Sequence, residues 1–317
     1  MSFKKPLSID EQISLLKTRG LVVNPDEETD IATWLKNVNY YKLSGYWLIF
    51  EEKNQSGSGR NHKFKQGATW KDIKHTYIFD QKFRRLLWTS IEKIEISVKA
   101  HWSQYLSMKY GAFAHEKRAL FNPYIFNDAN DQDSPYKRLV NDYKRSNALY
   151  AKHYRENYKN LTTPPIWIVP LMISFGDIVN WTNHLINPKD RTGILDEYGF
   201  DEQIMISFLT HLIEVRNICA HNGRLWNRTT KKAFTLPKRL SPVFKYSPQN
   251  RADKKIYNTI IMINEVLKTI DPKFPFLLFM RNLIKDNYLI KPYHMGFPKD
   301  WETKEPWVSL PKYQKSQ

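Results

Sequence analysis

The stretch that decides the fold is residues 201–222, DEQIMISFLTHLIEVRNICAHN. Its first three turns carry apolar residues at i, i+3 and i+4 spacing, which predicts an amphipathic helix with one buried face. These residues are Ile204, Met205, Phe208, Leu209, Leu212 and Ile213. The end of the stretch carries Arg216, Asn217 and His221, and Gly223 is positioned to cap the helix. Residues of these types at the end of a buried helix indicate a functional site.

The rest of the chain is also predicted to be helical, and nothing in it has the pattern of a strand. A long helix is predicted to begin at Thr69, where an apolar stripe starts, and to end near Tyr110. Ser8 begins a capping-box pattern, and Pro188 and Gly199 mark breaks before the central helix. Other helices are predicted over residues 26–38, 136–158, 251–269 and 274–285. The predicted fold class is all-α.

The composition predicts a negatively charged partner. The chain of 317 residues has 49 Lys and Arg against 32 Asp and Glu, a formal charge of +17. Such an excess attracts nucleic acid or an anionic membrane surface. We favour nucleic acid, because 10 Trp, 18 Tyr and 17 Phe supply faces on which unpaired bases can stack. The cations outside the central helix that are predicted to bind RNA are Lys42, Arg84, Arg85, Lys144 and Arg145, although an ion-paired or solvated side chain explains each as well.

Cysteine, histidine and apolar runs limit the other classes of site. Cys219 is the single cysteine, which excludes an intrachain disulfide framework and fits a reducing cytosol. Cys219, His221 and the distant His211 lack the spacing of a zinc site, and there is no Gly-rich phosphate loop. The most apolar run, residues 165–175, is too short to span a bilayer and contains Pro170. We expect a soluble, cytoplasmic protein that uses no metal or other cofactor.

Two carboxylates on the predicted long helix form a second candidate site. Glu92 and Glu95 are three residues apart, so they project from neighbouring positions on the helix surface. Such a pair can bind a metal or carry acid–base chemistry. It more often pairs with basic neighbours, such as Arg84, Arg85 or Lys99, or with the helix that carries Arg216, and we expect that structural role.

Arg216, Asn217 and His221 are the candidate catalytic residues. At about 100° per residue, Asn217 and His221 share a helix face, whereas Arg216 and His221 lie about 140° apart. Two copies across a two-fold axis, or a distorted last turn, would aim both groups into one cleft. There the imidazole can transfer the 2′-hydroxyl or leaving-group proton, and the guanidinium can stabilise phosphate charge without a metal. An Arg and a His that form ion pairs at a helix end would give the same pattern.

The string RNICAHNGRLWNR, residues 216–228, resembles the signature of the AbiF/AbiD-type abortive-infection proteins, members of the HEPN ribonuclease superfamily. Arg216, Asn217 and His221 match the pattern of Arg, a polar residue and His, with four residues between Arg and His. The likeness extends from about Lys5 to Arg228. Its other segments are KPLSIDEQISLLKTRGLVV (5–23), NYYKLSGYW (39–47), FDQKFRRLLWTSIEKIEISVKAHW (79–102) and PIWIVPLMISFGDIVNW (165–181). Residues after about 230 are less recognisable.

The resemblance implies a HEPN-type helical bundle in three segments. These are an N-terminal helical segment with a basic loop (1–68), a HEPN-like helical core (69–230) and a C-terminal helical extension with a basic tail (231–317). It also implies a homodimer with a composite active site, acting as a metal-independent endoribonuclease toxin in antiphage defence. Arg216 and His221 would carry the reaction and Asn217 would position His221. The residues expected to shape the RNA cleft are Arg224, Trp226, Asn227 and Arg228.

The resemblance also implies a second RNA partner, because small structured RNAs restrain some relatives in toxin–antitoxin systems. The charge of this chain is compatible with such a partner. Two other functions stay open: a non-catalytic RNA-binding protein that uses the same residues to hold phosphate, and a DNA-acting defence protein. The first predicts binding that falls steeply with salt and no turnover.

Overall fold

The structure, a computed structural model, describes residues 5–54, 59–127, 133–244 and 254–313. Within these ranges the chain forms eleven α-helices, connected by loops and 3₁₀ turns, and has no β-strand beyond isolated bridges. The helices are α1 (Ile9–Thr18), α2 (Glu28–Val38), α3 (Tyr40–Trp47), α4 (Trp70–Tyr110), α5 (Pro135–Arg145), α6 (Leu149–Asn157), α7 (Phe175–Asn183), α8 (Pro188–Leu195), α9 (Glu202–Ala220), α10 (Ile256–Ile270) and α11 (Phe276–Lys285). The predicted all-α fold is confirmed.

The long helix α4 is the axis of the fold. Its 41 residues span about 60 Å at 1.5 Å per residue. The Thr69 hydroxyl accepts the N–H of Asp72, and the Asp72 carboxylate accepts the N–H of Thr69. The helix thus starts at the predicted residue, with a capping box. Helices α3, α7, α8, α9, α10 and α11 all pack against it. None of the described helices is both long enough and apolar enough to cross a membrane.

One hydrophobic cluster includes residues from all three predicted segments. Leu16 from the first, Leu87 from the second and Met262 from the third are fully buried in it. In the tail, Trp301 and Trp307 are buried too, with ring centroids 4.9 Å apart. The region after residue 231 is therefore part of the same core, and its helices α10 and α11 support α4.

Three predicted elements differ from the structure. The helix predicted over residues 136–158 is two helices, because Ser146 and Ala148 take extended backbone angles between α5 and α6. Helix α8 begins where the sequence predicts only a break: Asn187 caps it, and Pro188 occupies its first position, where a missing N–H does no harm. The predicted helix start at Arg251 lies outside the described residues, and α10 begins at Ile256.

Candidate active site

Helix α9 ends in a Schellman motif that fixes the backbone at His221. The N–H of Asn222 donates to the carbonyl of Cys219 (3.1 Å), and the N–H of Gly223 donates to the carbonyl of Ile218 (2.8 Å). Asn222 takes the left-handed position at φ 54°, so the predicted glycine cap is corrected by one residue. Gly223 is favoured for a different reason, the close approach of the backbone: a Cβ there would lie 3.3 Å from the carbonyl oxygen of Ile218.

Asn217 and His221 lie together on the exposed side of α9. Both are exposed, and both line a cavity of about 530 Å³. The N–H of His221 donates to the carbonyl of Asn217 (3.0 Å), so the two residues are one helical turn apart. The cations that line this cavity are Arg228, Lys231 and Lys232. Glu214 supplies the one carboxylate among the described lining residues, and its oxygens accept backbone N–H groups at 3.0 to 3.4 Å.

Arg216 lies on a different side of α9 and faces α4. Its Nε donates to Oε2 of Glu95 (3.4 Å), and its guanidinium lies 5.1 Å from the centroid of the Trp88 ring. Oε1 of Glu95 pairs with Nζ of Lys99 at 2.9 Å, which confirms the structural role expected for this carboxylate. Arg216 lines a smaller cavity of about 160 Å³. Within one chain the guanidinium of Arg216 and the imidazole of His221 therefore line separate cavities.

The ion-pair alternative applies to only one of the two residues. Arg216 has the Glu95 carboxylate as its partner, within 4 Å. Among the described residues, His221 has no acidic side chain within that distance. His221 is consequently the member of the motif that stays open to a substrate in a single chain.

The loop after the motif is held against α4 by a buried carboxylate. Asp80 is fully buried and accepts the N–H groups of Leu225 (3.2 Å) and Trp226 (2.7 Å). It also accepts the hydroxyl of Tyr46 (2.7 Å) and forms an ion pair with Arg84. Burial raises the pKa of Asp80, and the adjacent guanidinium and the donated hydrogen bonds oppose that rise. This cluster sets the path of the chain that leaves His221.

Several residues predicted to bind RNA have structural positions instead. Arg84 is 5% exposed and Trp226 is 0% exposed, so RNA cannot reach either one in this conformation, and both belong to the core. Arg224 is half-buried, and its Nη1 donates to the carbonyl of Trp226 (2.9 Å). Asn227 sits at φ 52° and accepts a hydrogen bond from Nζ of Lys255 (3.1 Å). These contacts shape the loop behind the cavity.

The other predicted cations are accessible, but only one of them reaches the motif. The exposed ones outside the cavity are Lys42 on α3, Arg85 on α4, and Lys144 and Arg145 on α5. Arg228 lines the cavity that holds Asn217 and His221. Lys231 and Lys232 line it too, and neither is among the predicted RNA-binding residues. The signal that could have found them is the basic run NRTTKK, residues 227–232, directly behind the motif.

Other chemistry near the motif is limited by burial. Burial raises the pKa of the Cys219 thiol to about 12, which leaves little thiolate at neutral pH. On the same helix His211 is buried between the Lys232 carbonyl and the Thr259 hydroxyl, each 2.8 Å away. Within the described ranges, no three His, Cys, Asp or Glu side chains are grouped as possible metal ligands.

A family model described as Abi-like protein matches residues 33–227. This chain belongs to the Abi-like family. The matched segment runs from α2 through the motif to Asn227, so it includes Arg216, Asn217 and His221. Membership of the Abi-like family confirms the resemblance at the level of abortive infection, a form of defence. No curated protein and no solved structure matches the chain.

Proposed function

We propose that this Abi-like protein is a cytoplasmic, metal-independent endoribonuclease of the HEPN type that cleaves RNA in antiphage defence. The observation that carries the proposal is the placement of Asn217 and His221. They are exposed at the end of a buried helix, in a basic cavity of about 530 Å³, within the segment that the family model matches. A cavity of this size accommodates a ribose with its phosphates.

The chemistry follows from the groups that line this cavity. His221 removes the proton of a ribose 2′-hydroxyl, or protonates the departing 5′-oxygen. The 2′-oxygen forms a bond to the adjacent phosphorus and the bond from phosphorus to the 5′-oxygen breaks, which leaves a 2′,3′-cyclic phosphate and a 5′-hydroxyl. Asn217, one turn away, orients the imidazole. Arg228, Lys231 and Lys232, the cations that line the same cavity, bind the flanking phosphates.

A second copy of the chain supplies the arginine in this proposal. Within one chain Arg216 and His221 line separate cavities, so a complete site needs the guanidinium of a two-fold-related copy. Ile96 is 62% exposed and lies beside Arg216 in the smaller cavity, where a second copy would cover it. Glu95 holds the guanidinium until substrate phosphate competes for it.

The separation of Arg216 from His221 favours a second candidate function. If the chain acts as a monomer, the same cavity binds RNA phosphate without turning it over. The net charge of +17 supports RNA binding in both cases, and it is the property that would hold a small structured RNA as a restraining partner. The two candidates differ in whether the dimer cleaves RNA.

The deciding experiment is incubation of purified protein with labelled RNA in EDTA. We expect products that end in a 2′,3′-cyclic phosphate, and we expect His221→Ala to abolish them. His153→Ala is the matched control, because His153 is an exposed histidine on α6 that lies outside both cavities. Cleavage that requires a divalent ion, or that survives His221→Ala, would overturn the proposal. RNA binding without cleavage by the dimer would support the second candidate.

A further inference from the structure

We propose that the cavity between α1, α2 and α3 binds a nucleotide. It measures about 460 Å³, and none of its described lining residues also lines the cavities at Arg216 and His221. Its cationic lining residues are Lys5, Arg19 and Arg60, and none of its described lining residues is Asp or Glu. An opening with cations, aromatic rings and no acidic group suits an anion that carries an aromatic ring.

Arg19 is the group that would hold the phosphate. Its Nη1 donates to the hydroxyl of Tyr40 (2.6 Å), and among the described residues it has no carboxylate within 4 Å. Arg60 differs, because it forms an ion pair with the buried carboxylate of Glu51. The Tyr40 hydroxyl accepts from Arg19 and keeps its own proton, which it can donate to a phosphate oxygen. Arg19 and Tyr40 together therefore present donors on one side of the cavity.

Tyr41 is the group that would hold the base. Its side chain is 77% exposed, although it is a large aromatic residue in a cavity wall. Its ring lies 5.9 Å from that of Tyr40 at 79°, so a base stacked on Tyr41 would meet the neighbouring ring. Leu15 and Leu35 add apolar surface to the lining. Inorganic phosphate would leave most of this volume empty, whereas a nucleotide would fill much of it.

The backbone at Asn39 holds the two tyrosines in this arrangement. Asn39 has φ 76° and ψ 138°, angles that a residue with a Cβ rarely takes. Its side-chain oxygen accepts the N–H of Tyr41 (2.9 Å), which starts α3 at the cavity wall. The unfavourable backbone conformation of Asn39 therefore lies directly before the two tyrosines and fixes where their rings lie.

The test is calorimetric titration of the full-length protein with three probes: adenosine 5′-monophosphate, a 5′-phosphorylated 2′-O-methyl tetranucleotide that cannot be cleaved by 2′-hydroxyl attack, and inorganic phosphate. We expect one site per chain for adenosine 5′-monophosphate. Tyr41→Ala and Arg19→Gln each weaken it roughly tenfold or more. Tyr288→Ala and Lys36→Gln are exposed controls outside the cavity and leave affinity unchanged. Thermal melts check that each variant is folded, and Arg19→Lys restores part of the affinity.

The outcomes separate the source of the ligand. Binding of the mononucleotide identifies a free nucleotide, and binding of the tetranucleotide alone, weakened by Tyr41→Ala, identifies a nucleotide within an RNA strand. Phosphate binding equal to nucleotide binding, no binding of any probe, or binding unchanged by Tyr41→Ala overturns the proposal. The mononucleotide arm is read through Tyr41 and Arg19, which lie outside the cavity of His221, so its result is independent of whether the motif cleaves RNA.

Discussion

The two sides of the last turns of α9 differ in whether their polar side chains have partners among the described residues of the chain. On the side that faces α4, Arg216 has a carboxylate, Glu95, and an aromatic ring, Trp88, as partners. On the other side, Asn217 and His221 are exposed in a cavity whose other charged groups are mostly cationic. In a single chain, therefore, the two residues of one sequence motif differ: Arg216 is paired with neighbouring side chains, and His221 is exposed to solvent in a cavity. Any reaction at His221 must recruit a guanidinium from outside that chain or proceed with the cations behind it.

The largest expected effect comes from mixing two inactive variants. Arg216→Ala and His221→Ala should each lower RNA cleavage by roughly 100-fold to 10,000-fold, the usual range for loss of an acid–base or charge-stabilising group. Mixed after unfolding and refolding together, they should regain about a quarter of wild-type activity, because half of the dimers are mixed and each has one complete site. Cleavage rate against the mixing ratio is the measurement.

A mixture as inactive as its parts would contradict a site shared between two chains. His221→Ala alone, unfolded and refolded in the same way, is the control for refolding. Size-exclusion chromatography of the same samples shows whether the variants still form dimers.

The next effect concerns the Asp80 cluster, which holds the loop after the motif against α4. Asp80→Ala leaves Arg84 buried without its carboxylate and two backbone N–H groups without an acceptor, so we expect a loss of about 3–5 kcal/mol in the free energy of unfolding. Urea denaturation is the measurement. Glu92→Ala, an exposed carboxylate on the same helix, should change it by less than about 0.5 kcal/mol. Equal effects of the two substitutions would show that the Asp80 cluster does not hold the loop.

The helix boundaries that the sequence predicts well are those marked by local signals. The bounds of α4 and α9 follow from the caps at Thr69 and Asp201 and from unbroken apolar stripes, all within a few residues of the boundary. The burial of Trp226 depends on Asp80, which is 146 residues away in the chain and makes no local pattern with it. Arg84 did leave a local clue, because it is four residues from Asp80 within an apolar stripe.

The division of the motif between two cavities could be predicted only in part. Helical geometry already separates Arg216 from His221 by about 140°. Which neighbour each residue meets depends on the packing of α4 against α9, and no spacing within α9 contains that information. The sequence suggests Glu95 as a structural partner for the basic helix, and its position opposite Arg216 is a property of the fold.

The buried histidine of α9, His211, allows a smaller test. Burial lowers the pKa of His211, so the folded protein keeps it neutral while the unfolded chain protonates it near pH 6.5. Stability is therefore unaffected above that pH and falls as pH drops below it, by up to about 1.4 kcal/mol per pH unit for each such histidine. His115, whose pKa burial lowers to about 3, adds a term of the same sign. Urea denaturation from pH 7.5 to 4.5 measures the slope.

Substitution separates the contributions to that slope. His211→Gln should make it shallower, because one buried neutral histidine has been removed. His115→Gln should act in the same direction, because burial keeps that imidazole neutral too. A slope that His211→Gln leaves unchanged would contradict a buried, neutral His211 in the folded protein.

The smallest expected effect distinguishes the cavity from the basic surface of α5. In Lys231→Gln/Lys232→Gln, RNA affinity should fall several-fold, and the slope of log affinity against log salt should become shallower by about 0.7 for each lost contact with a single strand. The comparison variant is Lys144→Gln/Arg145→Gln, which removes two exposed cations of α5. If only the first variant changes the slope, the strand follows the side of α9 that carries His221. If only the second does, RNA lies on α5 as the charge pattern alone predicts, and the cavity at His221 loses its claim to be the substrate site.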